Sequence, residues 1–210
     1  MKTTLEAQDW RYATKQFDPT KKLTDAQVDL LKETLRLTPS SFGVQPWKFV
    51  MVETPELRQK LVEQSWGQAQ VADASHLFVL CRLTEITEEC VLAYMANAAE
   101  TRGVPLEAMD SFRDVVLNFI KGLDDEQKAD WMNRQSYIAL GNLMTVCAYE
   151  GIDACPMEGF NPAGYSEVLN LPELGLTPVV ACPVGFRSKE DKYAAIPKVR
   201  FPAETVHLTL

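Results

Sequence analysis

The sequence predicts an α+β fold in which helices outnumber scattered strands, with residues 1–210 read as one domain. Three observations carry this. A long helical stretch opens at Asp124-Asp125 and runs to Gly151. His76-Leu77-Phe78-Val79-Leu80-Cys81 and Pro178-Val179-Val180-Ala181-Cys182 are nearly continuous apolar runs, as in strands covered on both faces. No repeat, low-complexity tract or linker divides the chain.

Each element follows from local chemistry. Leu5 to Tyr12 reads as a short helix. Thr24-Asp25-Ala26-Gln27 fits a capping box ahead of Val28, Leu31, Leu35 and Leu37 at helical spacing, and Pro39 stops that helix. Ser40-Ser41-Phe42-Gly43 is a polar turn before a strand at Lys48–Glu53. Thr54-Pro55 opens a helix to about Ser65, ended by Gly67. Residues from Thr87 to Gly122 read as helical, interrupted by Gly103-Val104-Pro105. The acidic start of the long helix suits its dipole and Gly151 suits its end. A second inner strand spans Thr177–Val184. Thr205-Val206-His207-Leu208 in the tail reads as an added strand, one that can cross to another subunit because a terminal strand needs a sheet edge to pair with.

Composition excludes several function classes. A formal net charge of -8 opposes general binding to nucleic acid or anionic membrane. The 5 cysteines form no C-x-x-C pair and read as small core thiols of a reduced, cytoplasmic chain. Acidic Glu6 and Asp9 follow Met1-Lys2-Thr3-Thr4-Leu5 too soon for a secretory apolar segment. Neither a Rossmann fingerprint nor a P-loop is present. His76 and His207 alone leave a zinc site or a Ser-His-Asp triad little to build on.

Some clusters admit a chemical reading. Arg11 and Lys15 share a face if the first helix continues. Lys198 and Arg200 share one in extended chain. In an acidic chain these pairs are either solvated cations or a phosphate site. Ser40 and Ser41 offer hydroxyls after Pro39. Gly159, within Pro156-Met157-Glu158-Gly159-Phe160, is a turn residue or admits close approach of a flat ligand. Gln135 on the long helix is either exposed or hydrogen bonded.

Arg11-Tyr12-Ala13-Thr14-Lys15-Gln16-Phe17-Asp18, Leu37-Thr38-Pro39-Ser40-Ser41-Phe42-Gly43-Val44-Gln45-Pro46-Trp47, Ala74-Ser75-His76, Pro156 to Phe160 and Pro197-Lys198-Val199-Arg200, in that order, resemble the nitroreductase family. The resemblance implies a mostly antiparallel central sheet flanked by helices. It also implies an intertwined homodimer with an exchanged C-terminal strand, and FMN sites at the interface. Arg11, Lys198 and Arg200 would hold the FMN phosphate and Lys15 the pyrimidine edge, with Tyr12 and Ala13 beside them. Ser40 and Ser41 would come from the other subunit, and Pro39 and Gly43 would also bind the cofactor. Gln135 would contact the ribityl or ring region. Pro156 and Met157 would lie along the flavin, and the Glu158 and Gly159 amides would face N5. The implied activity is two-electron transfer from NADH or NADPH to nitroaromatics or quinones, with the flavin and no catalytic side chain carrying the chemistry. Alternatives are a pteridine, enoyl, aldehyde or halogenated acceptor, or a flavin-binding dimer without activity. Phe42, Phe112 and Phe119 would line the acceptor pocket or simply pack the core. Family members often carry asparagine at Gly43 and serine at Ala13. Gln68 and Gln70 would stand in as neutral donors near the ring, which implies a flavin less strongly poised toward its reduced anion.

Overall fold

The two apolar runs become the two inner strands of a four-stranded sheet. In the computed structural model, which describes residues 3–210, the strands are β1 (Trp47–Val52), β2 (His76–Leu83), β3 (Asp153–Ala154) and β4 (Leu176–Gly185). Met1 and Lys2 lie outside the described residues. The order is β1-β2-β4-β3, with every pair antiparallel. Val50 faces Val79 across the first pair, and Phe78 faces Cys182 across the second.

Side chains alternate across β2, as the two-residue strand period requires. Leu77, Val79 and Cys81 point to one layer, formed with α3 (Pro55–Glu63) and α8 (Pro162–Val168) and centred on Leu61 and Tyr165. Phe78 and Leu80 point to the other, where α2 (Asp25–Arg36) and α7 (Asp125–Glu150) supply Leu31, Leu35, Ala139 and Leu143. A third cluster lies beyond the end of the sheet and meets it at Leu83. There α5 (Glu88–Arg102) and α6 (Asp110–Lys121) pack Met95, Val116 and Ile120 against Trp131 and Met132 of α7.

The capping box at Thr24 forms with Gln27, and a second, from Asp124 to Gln127, starts α7. The break at Gly103–Pro105 separates α5 from α6 as expected. No helix of the described residues is long and apolar enough to cross a membrane.

Three expectations are corrected. The first helix, α1 (Thr4–Trp10), stops before Tyr12, because Arg11 is already extended. Leu37 is 64% exposed and takes no part in the α2 core face, since α2 ends at Arg36. Residues Ala203–Val206 form a helical turn, α9, so the strand read at Thr205–Leu208 is not formed. Within one chain no sheet edge meets that tail. Two further short elements, α4 (Gln70–Asp73) and β3, lie outside the elements expected from the sequence. Another, α8, carries a legible signal: Asn161 caps it and Pro162 is its first residue.

Of the cysteines, Cys81, Cys147, Cys155 and Cys182 are buried and Cys90 is half-buried. Burial pushes the thiols of Cys81 and Cys147 up to about 12. A thiol-specific chromogenic reagent at pH 8 is therefore expected to titrate one group quickly in the native protein and all 5 after denaturation. Two or more fast groups in the native state would contradict this core.

Candidate functional site

Four cations from the two ends of the chain line one cleft of about 540 Å³. Arg11 and Lys15 come from the amino-terminal segment, Lys198 and Arg200 from the carboxy-terminal one, and Asp9, Tyr12, Ala13 and Tyr193 are among the other wall residues. Arg11 and Lys15 share a face because the chain is extended after Trp10, not because a helix continues. The Lys198 Nζ donates to the carbonyls of Gln8 and Arg11, the latter at 2.5 Å, and so seals the end of α1. That leaves one of its three N–H donors for a ligand. The Arg11 Nε donates to Gln8 Oε1 at 3.2 Å, and Gln8 in turn reaches Thr145 of α7. None of the four cations is in an ion pair among the described residues. Burial and the neighbouring Arg200 charge hold the Arg11 pKa below its ordinary value. Burial, Arg11 and Arg200 do the same for Lys198. A bound anion would relieve this crowding.

Two buried carboxylates fix the cleft. Asp153, on β3, accepts from the Arg187 backbone N–H and Nε, both at 2.7 Å. The Arg187 guanidinium lies over both the Trp10 and Tyr12 rings, 4.2 and 4.5 Å from their centroids. Asp191, 4% exposed, accepts from Tyr12 Oη, Lys15 N, Gln16 N and Tyr193 N at 2.9 to 3.1 Å. Burial raises its pKa, but these bonds outweigh that and hold it below the ordinary carboxylate value. Neither acid stands out in the sequence; Asp191 reads there as one of a run of solvated charges, Lys189-Glu190-Asp191-Lys192.

From Cys155, at the end of β3, the chain continues along β4 through Cys155 N to Pro183 O and Met157 N to Ala181 O. It then reaches Glu158 and Gly159. No hydrogen bond engages the backbone N–H of either residue among the described residues. Pro156, Met157 and Glu158 line a second cleft with Tyr137 and Met144 of α7. The Tyr137 hydroxyl donates to Glu158 Oε1 at 2.5 Å and turns that carboxylate toward the helix. Gly159 has no room for a side chain, as an added Cβ would stand 2.8 Å from the Trp66 ring. Gln68 Nε2 donates to Gly159 O at 2.8 Å, and Gln70 Nε2 donates to Gln68 Oε1 at 3.0 Å. The two glutamines thus brace the glycine. Trp66, also missed by sequence reasoning, is 74% exposed with φ 55.

The loop from Pro39 to Gly43 lies apart from the cationic cleft and lines no part of it. Gln135 is buried. Its Oε1 accepts from Ser41 N at 2.8 Å, and its Nε2 donates to Trp131 O at 2.9 Å. Gln135 is thus hydrogen bonded and not exposed, and both of its side-chain polar atoms have protein partners. Asn142, two turns along α7, donates to Thr38 Oγ1. Ser40 Oγ accepts from Gln45 N. The Ser41 hydroxyl makes no hydrogen bond among the described residues. Phe42 sits 5.1 Å from Phe119 and 6.4 Å from Phe112, centroid to centroid, so the three rings form one cluster at the α5–α6 excursion. Four described non-glycine residues have positive φ, and Phe42, Gln45 and Trp66 are three of them. Such strain is retained where surrounding contacts hold it, often at ligand sites.

The family model described as "Nitroreductase family" matches residues 9–186. "Putative NAD(P)H nitroreductase SH0546" of Staphylococcus haemolyticus is 37% identical over 212 residues, covering 97% of this chain and 95% of that protein. "Putative NAD(P)H nitroreductase YfkO" of Bacillus subtilis is 40% identical over 163 residues, 74% of each. Among solved structures, a nitroreductase of Exiguobacterium sibiricum, also titled putative and in complex with FMN, superposes with a TM-score of 0.87 at 20% identity, covering 100% of this chain and 98% of that one.

Gly43 provides a stability test of the loop. Its φ is +76, and an added Cβ would stand 2.4 Å from the Tyr94 hydroxyl. Gly43→Ala is expected to lose about 1–3 kcal/mol from the left-handed backbone alone. The clash adds to that loss, and Tyr94→Phe in the same chain should recover part of it. Urea unfolding checks this; equal stability of Gly43→Ala and the parent would refute the packing.

Proposed function

Because this chain belongs to the nitroreductase family, we propose that it is an FMN-dependent oxidoreductase. It would transfer two electrons from NADH or NADPH to small organic acceptors, nitroaromatics and quinones among them, in a ping-pong cycle. The observation that carries the reading is the cleft at which Arg11, Lys15, Lys198 and Arg200 meet beside a single lining acid, Asp9, with none of the four in an ion pair among the described residues. Its volume is within the range of small-ligand sites, and its donors are of the kind that grip phosphate.

FMN, when bound, supplies the hydride-accepting N5 and the two-electron store. The chain's own groups bind and orient it. Arg11, Arg200 and the remaining donor of Lys198 hold the phosphate. Lys15 sets a positive charge beside the pyrimidine edge, which favours the reduced flavin. The free N–H groups of Glu158 and Gly159 are the donors for the N5 edge, and Gln68 keeps that backbone in place. Tyr137 holds the Glu158 carboxylate aside, so that the edge meets amide donors and not a negative charge.

The remaining candidates act across a homodimer. Ser41, Phe42 and Gly43, set by Gln135, lie on another part of the chain from the cationic cleft, so a site using both sets draws one from each subunit. The tail supports the same assembly. Val199, Phe201 and Leu208 are 83%, 76% and 87% exposed, a concentration of apolar surface that a second subunit would cover. Phe42, Phe112 and Phe119 would then roof the partner's flavin and admit flat acceptors.

The purified protein is expected to show a flavin spectrum, alone or after incubation with FMN, that bleaches anaerobically with NADH or NADPH. Colourless protein that stays colourless with FMN would end the reading. Arg200→Ala is expected to weaken FMN binding by about 1.5–3 kcal/mol, the range for a hydrogen bond to a charged group. An unchanged dissociation constant, measured by flavin fluorescence, would remove Arg200 from the site.

A further inference from the structure

We propose that Asp191 is the positioning residue of the cationic cleft: its carboxylate sets the spacing between the amino- and carboxy-terminal cations, and thereby the preference for a phosphorylated flavin over an unphosphorylated one. The inference rests on the FMN reading above and assigns a role within it.

Asp191 lies beside the cationic cleft without neutralising it. Asp191 is buried, and it pairs with no cation among the described residues. Its charge is met by neutral donors. Oδ2 takes three of them, Tyr12 Oη, Lys15 N and Gln16 N, and Oδ1 takes Tyr193 N. Hydrogen bonds to a charged group are among the stronger kinds. The positive field is therefore left to an incoming anion.

The donors also come from the right places. Tyr12, Lys15 and Gln16 are 175 to 179 residues away in sequence and belong to the segment that carries Arg11 and Lys15. Tyr193 lies in the turn that leads to Lys198 and Arg200. One carboxylate thus fastens both cationic segments. The backbone bonds Asp18 N to Phe186 O and Ser188 N to Gln16 O hold the same strands further along, before the cleft begins; inside it the other link is Lys198 Nζ to the Gln8 and Arg11 carbonyls, made by a cation that is itself a phosphate ligand in this reading.

An amide cannot replace this group. In Asp191→Asn the side chain would keep one acceptor oxygen, and its NH₂ would face donors. Either the three-donor cluster or the Tyr193 bond would be lost, and the two segments would shift. Because the phosphate is the part that both segments must grip together, its contribution should fail first, while stacking and edge contacts to the ring persist.

The test compares FMN with riboflavin, which shares its ring and lacks the phosphate. Dissociation constants are measured by fluorescence quenching for the intact protein and for Asp191→Asn. The expected result is an FMN-over-riboflavin preference reduced at least about tenfold, equivalent to about 1.4 kcal/mol, with riboflavin affinity changed by less than about threefold. Tyr12→Phe, which deletes a single donor, is expected to reduce the preference less, and it serves if Asp191→Asn does not fold. Equal losses for both ligands would show a general structural role, and an unchanged preference would show none; either overturns the proposal. Failure of the parent protein itself to bind FMN would instead overturn the oxidoreductase reading, and the proposal with it.

Discussion

The pairing of buried Asp153 with Arg187 is the constraint on which the site geometry depends. Asp153 begins the strand that turns the chain out of α7, and Arg187 follows the last residues of β4. Their bond fixes the end of the sheet where the amino-terminal segment must attach. Removing one partner of such a pair leaves a buried charge and destabilises by about 3–5 kcal/mol in general. Arg187 does more than neutralise. Its flat guanidinium rests on both Trp10 and Tyr12, so the same side chain that satisfies Asp153 also sets the extended backbone leading to Lys15. Lysine could supply the charge but not the planar surface.

The helix α7 performs the corresponding task for the other half of the site. Gln135 and Asn142 lie seven residues apart, close to two helical turns, and so face the same way. Both spend hydrogen bonds on the 38–41 segment. That bracing lets Phe42 and Gln45 keep positive φ. The consequence is a loop whose aromatic side chain meets Phe112 and Phe119, while the Ser41 hydroxyl has no hydrogen-bond partner among the described residues.

The sequence shows periodicity and capping well, and three-dimensional pairing poorly. The capping box at Thr24, the acidic start of α7 and the two apolar runs of the inner strands are all legible, because each depends on neighbours a few residues away. The cationic cluster is only half legible. Arg11 and Lys15 group together on the wrong premise, since a four-residue spacing puts side chains on one face in a helix and in extended chain alike. Asp191 is not legible at all. Three of its four donors are backbone N–H groups and the fourth is the distant Tyr12 hydroxyl, and nothing in Lys189-Glu190-Asp191-Lys192 distinguishes a buried acceptor from its solvated neighbours. Trp66 is hidden for a different reason: its exposure follows from a left-handed backbone that the residue type does not favour. The tail misleads in the opposite direction. Val206 and Leu208 have strand-like composition, but pairing requires an edge that the single chain does not bring to them.

The charge arrangement explains how a chain of net charge -8 can hold an anion selectively. Long-range repulsion discourages polyanions, whose many phosphates sample the whole surface. A single phosphate inside a cleft meets only the local field, where Arg11, Lys198 and Arg200 are close enough to crowd one another. Among the described residues none of the cations is in an ion pair, and the nearby buried acids, Asp153 and Asp191, are already occupied, one by Arg187 and the other by N–H and O–H donors. Had either acid lain within reach of Arg11 or Lys198 without its own partners, it would have competed with the ligand. Four cations against the one lining acid, Asp9, with the two buried carboxylates saturated, keep the cleft positive, and local selectivity follows from this arrangement and not from the overall charge.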